Sequence, residues 1–320
     1  MTHDLRCERC GSTEATGPVY PRSCACGGFW EPASGAGEAG AGRDPTPFWP
    51  DPRDPGLWWK REDLNPTGSF KDRGAEELVR VARASGARSL VVDSSGSAAL
   101  AAAAAGARAG LPVAVHTPAG LPRVKRGALE TLGARLVAEG TREEAAARAA
   151  GEAEVAFHVS HVFHPAFWQG TAGSGTEVLY RTGPGVPPVW VLPVGNGSLL
   201  FGLDLALDRA GRTGVVLVAV QSTAAPGIRA PGPPGRSRAA GINIGNPPRV
   251  ARIREVLARR GGEVLEVAEE EIASAREALG RRGVAAEAAA AASLAGVRRL
   301  RARGEERPIA AWLTGEGNRE

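Results

Sequence analysis

The chain has 320 residues, of which 43% are hydrophobic and 23% charged, so it can bury a sizeable core and is not a disordered chain. Its length predicts two domains, or one large domain with an appendage. No apolar run approaches the ~20 residues that span a bilayer. The first ten residues carry charges where a secretory signal needs an apolar stretch. We therefore expect a soluble, cytoplasmic protein with no membrane partner.

The net charge of +4 and the isoelectric point near 9.1 raise the question of nucleic-acid binding. The basic residues are nearly all arginines, and they are spread along the chain beside acidic residues. Specific nucleic-acid binders concentrate their charge on one face, so this distribution predicts solvated helix surfaces and no nucleic-acid partner. The alternative, a zinc-ribbon nucleic-acid module on an α/β body, predicts retention on DNA that falls steeply with salt.

The four cysteines form two close pairs near the N-terminus, Cys7 with Cys10 and Cys24 with Cys26. Two such pairs, separated by a turn-rich spacer, are typical of two knuckles that hold one tetrahedral zinc ion. Two disulfides are the alternative, which a cytosolic compartment disfavours. Four thiolates leave no open coordination position, so the zinc would be structural. The predicted zinc-ribbon-like segment comprises residues 1–33.

From Pro32 to Gly56 the chain is rich in glycine, proline, alanine and aspartate, which predicts a linker or an irregular arm. Beyond it, short runs rich in valine and leucine alternate with helical stretches. The predicted strands are Leu57–Arg61, Ser89–Asp93, Pro112–His116, Arg135–Val137, Val155–Val159, Val189–Val194, Val215–Val220, Val264–Val267 and Ile309–Thr314. The predicted helices are Asp72–Ala84, Ala98–Ala109, Arg123–Leu132, Arg142–Glu152, Thr171–Arg181, Leu199–Arg209, Arg249–Arg259, Glu269–Arg281 and Glu287–Arg303. Strands that are apolar on both faces, each followed by a helix, predict an α/β protein with parallel sheets flanked by helices.

One loop carries a lysine with distinctive surroundings. Residues 65–73 read Asn-Pro-Thr-Gly-Ser-Phe-Lys-Asp-Arg, a turn followed by Lys71 at the start of a helix. A lysine in the first helical turn feels the positive end of the helix dipole, which disfavours its ammonium form. A neutral amine is what Schiff-base formation with an aldehyde requires. An ordinary exposed lysine in a turn is the alternative interpretation.

Two further loops join a strand to a helix. Gly195-Asn196-Gly197-Ser198 would leave backbone N–H groups free to surround a phosphate, to which the helix dipole adds attraction. Its spacing matches neither the dinucleotide-binding nor the P-loop motif, so the phosphate need not belong to NAD or ATP. Asp93-Ser94-Ser95-Gly96-Ser97 offers hydroxyls and N–H groups to a carboxylate, with an ordinary helix N-cap as the alternative.

These segments resemble the threonine synthase family, within the fold-type-II enzymes that use pyridoxal phosphate. The stretch 65–73 resembles the family's cofactor-lysine motif, and the cysteine pairs resemble the zinc-ribbon-like N-terminus of many members. Ser94-Ser95-Gly96-Ser97 stands where the family has Ser-Ser-Gly-Asn. Further similar segments are Thr46-Pro47-Phe48, Gly195–Ser198, Gly241–Gly245 and Leu313–Gly317. The resemblance covers nearly the whole chain.

The resemblance implies a two-domain fold like that of the tryptophan synthase beta subunit. Residues 34–88 and 168–320 would form a large cofactor domain, and residues 89–167 a small mobile domain. Lys71 would form the Schiff base with pyridoxal phosphate and then serve as base and acid. The other implied site residues are Gly195, Asn196, Gly197 and Ser198 for the cofactor phosphate, Thr314 for the pyridine nitrogen, and Ser94, Ser95 and Gly96 for the carboxylate of an amino acid substrate. A homodimer is also implied.

Three departures from the family pattern concern recognition of the cofactor and the substrate. Ser97 replaces the asparagine that hydrogen-bonds the cofactor's phenolic oxygen in the family. Phe167 stands where threonine synthases have a phosphate-binding arginine, and Val162 stands at a serine position. The segment Glu287–Ala291, Glu-Ala-Ala-Ala-Ala, stands where the family has Glu-Pro-Ser-Ser-Ala and lacks its hydroxyls. An aromatic ring cannot replace a guanidinium that binds phosphate. His161 and His164 are candidates for new polar groups in the substrate pocket.

The sequence therefore predicts a pyridoxal phosphate-dependent lyase that performs β- or γ-elimination or replacement on an amino acid other than O-phosphohomoserine. The alternatives are a threonine synthase proper, a serine or threonine dehydratase, and a pseudo-enzyme that binds the cofactor without turnover.

Overall fold

A computed structural model describes residues 4–33 and 43–317. Their contacts divide them into two compact units. Residues 4–33 and 71–171 form the first unit, and residues 43–70 and 172–317 form the second. The predicted large cofactor domain (residues 34–88 and 168–320) and small mobile domain (residues 89–167) stay a prediction.

The strands and helices alternate along most of the chain. The strands are β1 (Asp4–Cys7), β2 (Thr13–Ala15), β3 (Trp30–Pro32), β4 (Phe48–Asp51), β5 (Asp54–Arg61), β6 (Leu90–Asp93), β7 (Val113–Thr117), β8 (Arg135–Ala138), β9 (Phe157–His158), β10 (Val189–Pro193), β11 (Val216–Ser222), β12 (Glu263–Val267) and β13 (Ile309–Leu313). The helices are α1 (Lys71–Ala84), α2 (Ser97–Ala109), α3 (Arg123–Thr131), α4 (Arg142–Glu152), α5 (Pro165–Thr182), α6 (Ser198–Arg209), α7 (Val250–Arg259), α8 (Glu269–Gly280) and α9 (Ala288–Ala302).

The first unit contains two sheets. The cysteine-bearing segment folds as an antiparallel sheet of order β2-β1-β3, with Leu5, Cys7, Cys24 and Trp30 in its small core. The second sheet is parallel throughout, with the order β8-β7-β6-β9. Strands β6 and β7 are apolar and almost fully buried, as expected for parallel strands covered by helices.

The second unit is built on a six-stranded sheet of order β12-β11-β10-β13-β5-β4. All neighbouring strands are parallel except the edge pair of β4 and β5, which is antiparallel. The two inner strands β10 and β13 are buried along their whole length, and the alanine-rich helix α9 lies against them. Small side chains on α9 let the helix approach the sheet closely, so Ala290, Ala291 and Ala292 are fully buried.

The predicted α/β class, with parallel sheets flanked by helices, is confirmed. Two local expectations are wrong. Within the stretch Pro32–Gly56, for which the composition predicts an irregular arm, Phe48–Asp51 forms β4, which pairs with β5 and buries Phe48. Helix α5 begins at Pro165 rather than at Thr171, because a proline fits the first helical position, where its missing N–H is not needed. Among the helices of residues 4–33 and 43–317, none is long and apolar enough to cross a membrane.

Candidate active site

The loop before Lys71 is fixed on both sides to the segment that follows β13. The N–H of Phe70 donates to the carbonyl of Thr314 at 3.0 Å, and the N–H of Glu316 donates to the carbonyl of Gly68 at 2.9 Å. Gly68 has φ +81°, and a Cβ there would lie 2.5 Å from the side chain of Glu316, so only glycine fits this turn. Lys71 follows directly as the first residue of α1. The lysine therefore leaves a rigid loop, as a residue that holds a cofactor must.

A buried polar network holds the start of this loop. Glu62 accepts hydrogen bonds from Asn65 Nδ2 at 2.8 Å and from Ser174 Oγ at 2.7 Å. Lys60 Nζ lies 3.7 Å from the same Glu62 carboxylate and forms an ion pair with Glu177. Lys60 and Glu62 are fully buried, and a buried charge is tolerated only when it is paired in this way. Lys60, the lysine eleven positions before Lys71, thus has a structural role.

The glycine loop between β10 and α6 has the geometry of an anion site. Gly197 has φ +88°, and a Cβ on it would lie 2.8 Å from Ile253, while a Cβ on Gly195 would lie 2.7 Å from the carbonyl oxygen of Gly241. The N–H groups of Gly195, Asn196 and Gly197 donate to no other described residue. Unused amides at a helix N-terminus bind phosphate through hydrogen bonds and the helix dipole. The loop fits the cofactor phosphate that the sequence motifs imply.

Thr314 lies at the end of β13 and is buried. Its Oγ1 donates to Glu287 Oε1 at 3.4 Å, and the N–H of Glu287 donates to the carbonyl of Gly315 at 3.0 Å. Glu287 is the N-cap residue of α9 and the first residue of the segment that stands where the family has Glu-Pro-Ser-Ser-Ala. Nearby, the hydroxyl of Ser69 is buried and has no hydrogen-bond partner among the described residues. Both hydroxyls suit a ligand with polar ring substituents.

In the first unit, the serine loop lies at the N-terminus of α2. Ser94 Oγ accepts the N–H of Gly96 at 3.2 Å, whereas the hydroxyls of Ser95 and Ser97 bond to no other described residue. Gly96 is the N-cap residue, and a Cβ on it would meet nothing within 4 Å, so the loop has an open side. Hydroxyls and helix N-terminal amides suit a carboxylate.

A histidine and an aspartate pair across two neighbouring strands of the same unit. His158 on β9 lies 2.8 Å, from Nε2 to Oδ1, from Asp93 at the end of β6. Burial opposes ionisation of Asp93, but the hydrogen bond and charge of His158 outweigh it and keep the pKa of Asp93 below its usual value. Sequence reasoning missed His158, because only the pairing of β6 with β9 brings residues 93 and 158 together.

His161 lies close enough to Lys71 for their charges to interact. Burial, and then the positive charge of Lys71, lower the pKa of His161 to about 4, so its imidazole is neutral at pH 7. His164 has a different position: it is fully buried, its Nδ1 accepts the N–H of Ala166 at 3.1 Å, and its ring meets Tyr20 edge-on at 4.4 Å. His161 therefore lies nearer to Lys71 in electrostatic terms, and the predicted roles of both histidines in substrate binding stay predictions.

Phe167 is buried against the lysine-bearing helix. Its exposed fraction is 1%, and a Cβ on Gly74, three residues after Lys71, would overlap its ring. The ring centroid lies 6.0 Å from that of His161. The surroundings of Lys71 within the first unit thus include an aromatic ring and a neutral imidazole at the segment where the resemblance implies a phosphate-binding arginine.

The four cysteines form one cluster, as the spacing predicts. All four Sγ atoms lie within 4.8 Å of one another, with Cys7 and Cys26 at 3.5 Å and Cys10 and Cys24 at 3.6 Å. A tetrahedral zinc ion with Zn–S bonds of about 2.3 Å would place its ligands about 3.8 Å apart. A Cβ on Gly28 would lie 2.6 Å from Cys7 Sγ, so glycine is needed for the chain to fold around the cluster. The thiols fit a zinc ion.

The site residues thus fall into two groups. The first unit holds Lys71, the serine loop and His161, and the second holds the lysine loop up to Phe70, the glycine loop and Thr314.

Comparison with known proteins identifies the family. The family model described as "Pyridoxal-phosphate dependent enzyme" matches residues 39–315. A threonine synthase from Methanosarcina acetivorans is 32% identical over 76% of this chain and 65% of its own length. One from Halalkalibacterium halodurans is 33% identical over 81% of this chain and 76% of its own length. This chain thus spans about two thirds to three quarters of these relatives.

A solved structure is similar over the same region. The crystal structure of a threonine deaminase from T.th. is 30% identical and superimposes with a TM-score of 0.70, covering 82% of this chain and 88% of that one. The chain therefore belongs to the family of pyridoxal-phosphate dependent enzymes, within which it is a divergent relative of the threonine synthases.

Proposed function

We propose that this enzyme removes the α-proton of an amino acid that carries no phosphate, and then eliminates or replaces a group on its β- or γ-carbon. The observation that carries the proposal is the environment of Lys71: a neutral His161 and a buried Phe167 occupy the segment where phosphohomoserine recognition would need a cation. The arginine of the family pattern would bind the substrate's phosphate through charged, bidentate hydrogen bonds, which neither of these side chains can form.

The family membership supports pyridoxal phosphate as the cofactor, which when bound withdraws electrons from the substrate's α-carbon. Lys71 Nζ would hold the cofactor's aldehyde carbon and, once displaced by the substrate's amine, take the proton from the α-carbon. The N–H groups of Gly195, Asn196 and Gly197 would bind the phosphate. The Thr314 hydroxyl, which donates to Glu287 at 3.4 Å, would turn its one proton from that carboxylate to the pyridine nitrogen.

The serine loop would bind the substrate's carboxylate through Ser94, Ser95 and Gly96 and the N-terminus of α2, and Ser97 would face the cofactor. Ser97 is shorter than the asparagine of the family pattern, so it reaches less far toward the cofactor's phenolic oxygen. His161, as a neutral imidazole, would hydrogen-bond the leaving group through its ring N–H, and Lys71 Nζ would pass the proton it took from the α-carbon to the departing group. A neutral donor suits a hydroxyl or acyl-oxygen leaving group better than a phosphate.

A serine or threonine dehydratase is the second candidate, favoured by the similarity to the threonine deaminase from T.th.. It shares the first step, removal of the α-proton, and releases ammonia and a keto acid without a nucleophile. A threonine synthase proper is favoured by the identity to the two threonine synthases.

Two measurements test the proposal. The first is the visible spectrum of the purified protein, with borohydride reduction expected to attach the cofactor to Lys71 and Lys71→Ala expected to abolish that attachment. The second is turnover of O-phosphohomoserine, serine, threonine and O-acetylserine, followed by phosphate, keto-acid and ammonia release. We expect turnover of substrates without phosphate only. Rapid conversion of O-phosphohomoserine to threonine would overturn the proposal, and a cofactor-loaded protein inert to every substrate would indicate a pseudo-enzyme.

We also propose one structural zinc ion per chain at the cysteine cluster, and a homodimer. Metal analysis of purified protein and its sedimentation in solution test these two points.

A further inference from the structure

The cysteine segment (residues 4–33) is in contact with the histidine turn (residues 157–164), the stretch that carries His158, His161 and His164. Tyr20 makes the central contact. Its hydroxyl donates to the carbonyl oxygen of His158 at 2.8 Å, and its ring lies 5.1 Å from Phe157 and 4.4 Å from His164. The Tyr20 side chain is buried, so this contact is part of the core of the first unit.

A second contact holds the tip of the histidine turn. Phe29 stacks on Phe163 with ring centroids 6.1 Å apart and an interplanar angle of 19°. The guanidinium of Arg22 lies 5.5 Å from the centroid of the same ring. Phe163 thus has an aromatic and a cationic neighbour, both from the cysteine segment.

The contacting residues are positioned by the cysteine cluster. Tyr20, Arg22 and Phe29 flank Cys24 and Cys26 in the sequence. Between them the chain folds back, with the N–H of Cys24 donating to the carbonyl of Gly28 at 2.9 Å. Joining the thiolates of Cys24 and Cys26 to those of Cys7 and Cys10 therefore fixes the spacing between the Tyr20 contact and the Phe29 contact.

The histidine turn needs such support. Strand β9 has two residues and lies at the edge of its sheet, paired with β6 alone. A strand this short gains little stability from its ladder. Ser160 Oγ accepts the N–H groups of Val162 and Phe163, which shapes the turn but does not anchor it to the sheet.

We propose that the cysteine segment is a positioning element for the histidine turn: closure of the four thiolates around a metal ion holds Tyr20, Arg22 and Phe29 against the turn and so sets where His161 lies relative to Lys71. Tyr20 is a positioning residue and touches no reacting atom. An effect on catalytic turnover rests on the proposed function, whereas an effect on the structure of the histidine turn does not.

The first test uses the two tyrosines of the chain. Tyr20→Phe removes one buried hydrogen bond, and Tyr180→Phe, at a side chain that is 92% exposed, is the matched control. Hydrogen exchange followed by mass spectrometry should show amides of residues 157–164 exchanging about fivefold faster in Tyr20→Phe, the factor that corresponds to about 1 kcal/mol. Tyr180→Phe should leave them unchanged. Zinc-loaded wild-type protein, after its metal is removed by a chelator, should show the same acceleration.

The second test follows the His161 imidazole by NMR, with its signal assigned by comparison with His161→Gln. Lys71, Asp93, His158 and Arg142 are the ionisable groups that interact with His161, and burial contributes most to its pKa of about 4. Loosening the turn admits water, so the pKa should rise toward the ordinary value near 6.5 in Tyr20→Phe and in the metal-free protein.

These readouts are independent of turnover, so a protein inert to all amino acids would overturn the proposed function and leave this proposal open to test. Unchanged exchange and an unchanged His161 pKa in both Tyr20→Phe and the metal-free protein would overturn the positioning role. Where turnover exists, Tyr20→Phe should lower kcat more than it raises KM, because the carboxylate-binding serine loop is not part of the contact. If Tyr20→Phe fails to fold, Phe163→Leu, which keeps the apolar contact and loses the stacking, replaces it in both measurements.

Discussion

At the scale of single residues, Gly74 and Phe167 form the contact that distinguishes the surroundings of Lys71. Gly74 lies on α1, where a glycine weakens the helix by about 1 kcal/mol relative to alanine. The buried ring of Phe167 occupies the space that a Cβ would need. The phenylalanine at position 167 therefore packs in the space that the glycine at position 74 leaves open on the facing helix.

We predict that Gly74→Ala destabilises the protein in spite of the better helix former, because overpacking a core costs about 1–3 kcal/mol. Gly151→Ala is the matched control: Gly151 also lies in a helix, and a Cβ there meets nothing within 4 Å. It should stabilise by about 0.5–1 kcal/mol. Urea unfolding followed by tryptophan fluorescence measures both. Equal shifts in the two variants would show that Phe167 moves aside freely.

The glycine loop gives a second prediction at this scale. Gly197→Ala combines a left-handed backbone with a Cβ 2.8 Å from Ile253, at the amides proposed to hold phosphate. The dissociation constant of this variant for pyridoxal phosphate should rise at least about tenfold, because the displaced N–H groups of the loop no longer point at one anion. Spectral titration of the cofactor-free protein measures it. Gly211→Ala shares the positive φ but has open space around it, so it should lose stability and keep cofactor affinity.

The elements show how far sequence patterns reach. Helix α4 begins and ends at the predicted residues, since Thr141 caps it and Glu144 completes the capping box. Strands β1 to β4 were not predicted, because they have three or four residues and pair antiparallel with partners that the chain order alone does not reveal.

In the candidate site, local sequence motifs mark Lys71, the glycine loop and the cysteine cluster. The pair of His158 with Asp93 depends on strand register, which local motifs do not encode.

The buried ion pairs of Lys60, before the lysine loop, give a prediction about stability. Lys60→Met leaves the carboxylates of Glu62 and Glu177 without their cation, and breaking a buried ion pair costs about 3–5 kcal/mol. Lys125→Met, on the surface of α3 and in no ion pair among the described residues, should change the free energy of unfolding by less than about 0.5 kcal/mol. Chemical denaturation compares them. A stable Lys60→Met protein would mean that the two glutamates take up protons and share them instead.

At the scale of the whole molecule, many of the arginines are paired with carboxylates and so do not add to a basic face. On α9, Arg299 forms two hydrogen bonds to Glu271 at 2.8 and 2.7 Å, and Arg303, directly after the helix, lies 3.1 Å from Glu263. Arg260 is buried between the carboxylates of Asp204 and Asp208. These positive charges are compensated within a few ångströms, and the surplus over the whole chain is only +4.

This arrangement predicts weak and nonspecific behaviour toward nucleic acid. The protein should elute from immobilised duplex DNA below about 0.1 M salt, because few phosphates can be neutralised at once and the salt slope is correspondingly shallow. Glu271→Gln frees Arg299 and should raise the elution point slightly, which shows that the column responds to surface charge. Retention above about 0.3 M salt with a steep slope would contradict the prediction, since it requires many lysines or arginines to act on one face together. In that case the cysteine segment would be the first region to map. Arg6→Gln would test it, because Arg6 is exposed and is not one of the residues that contact the histidine turn, whereas Arg9 donates to the carbonyl of Cys26 at 2.7 Å within the cysteine cluster.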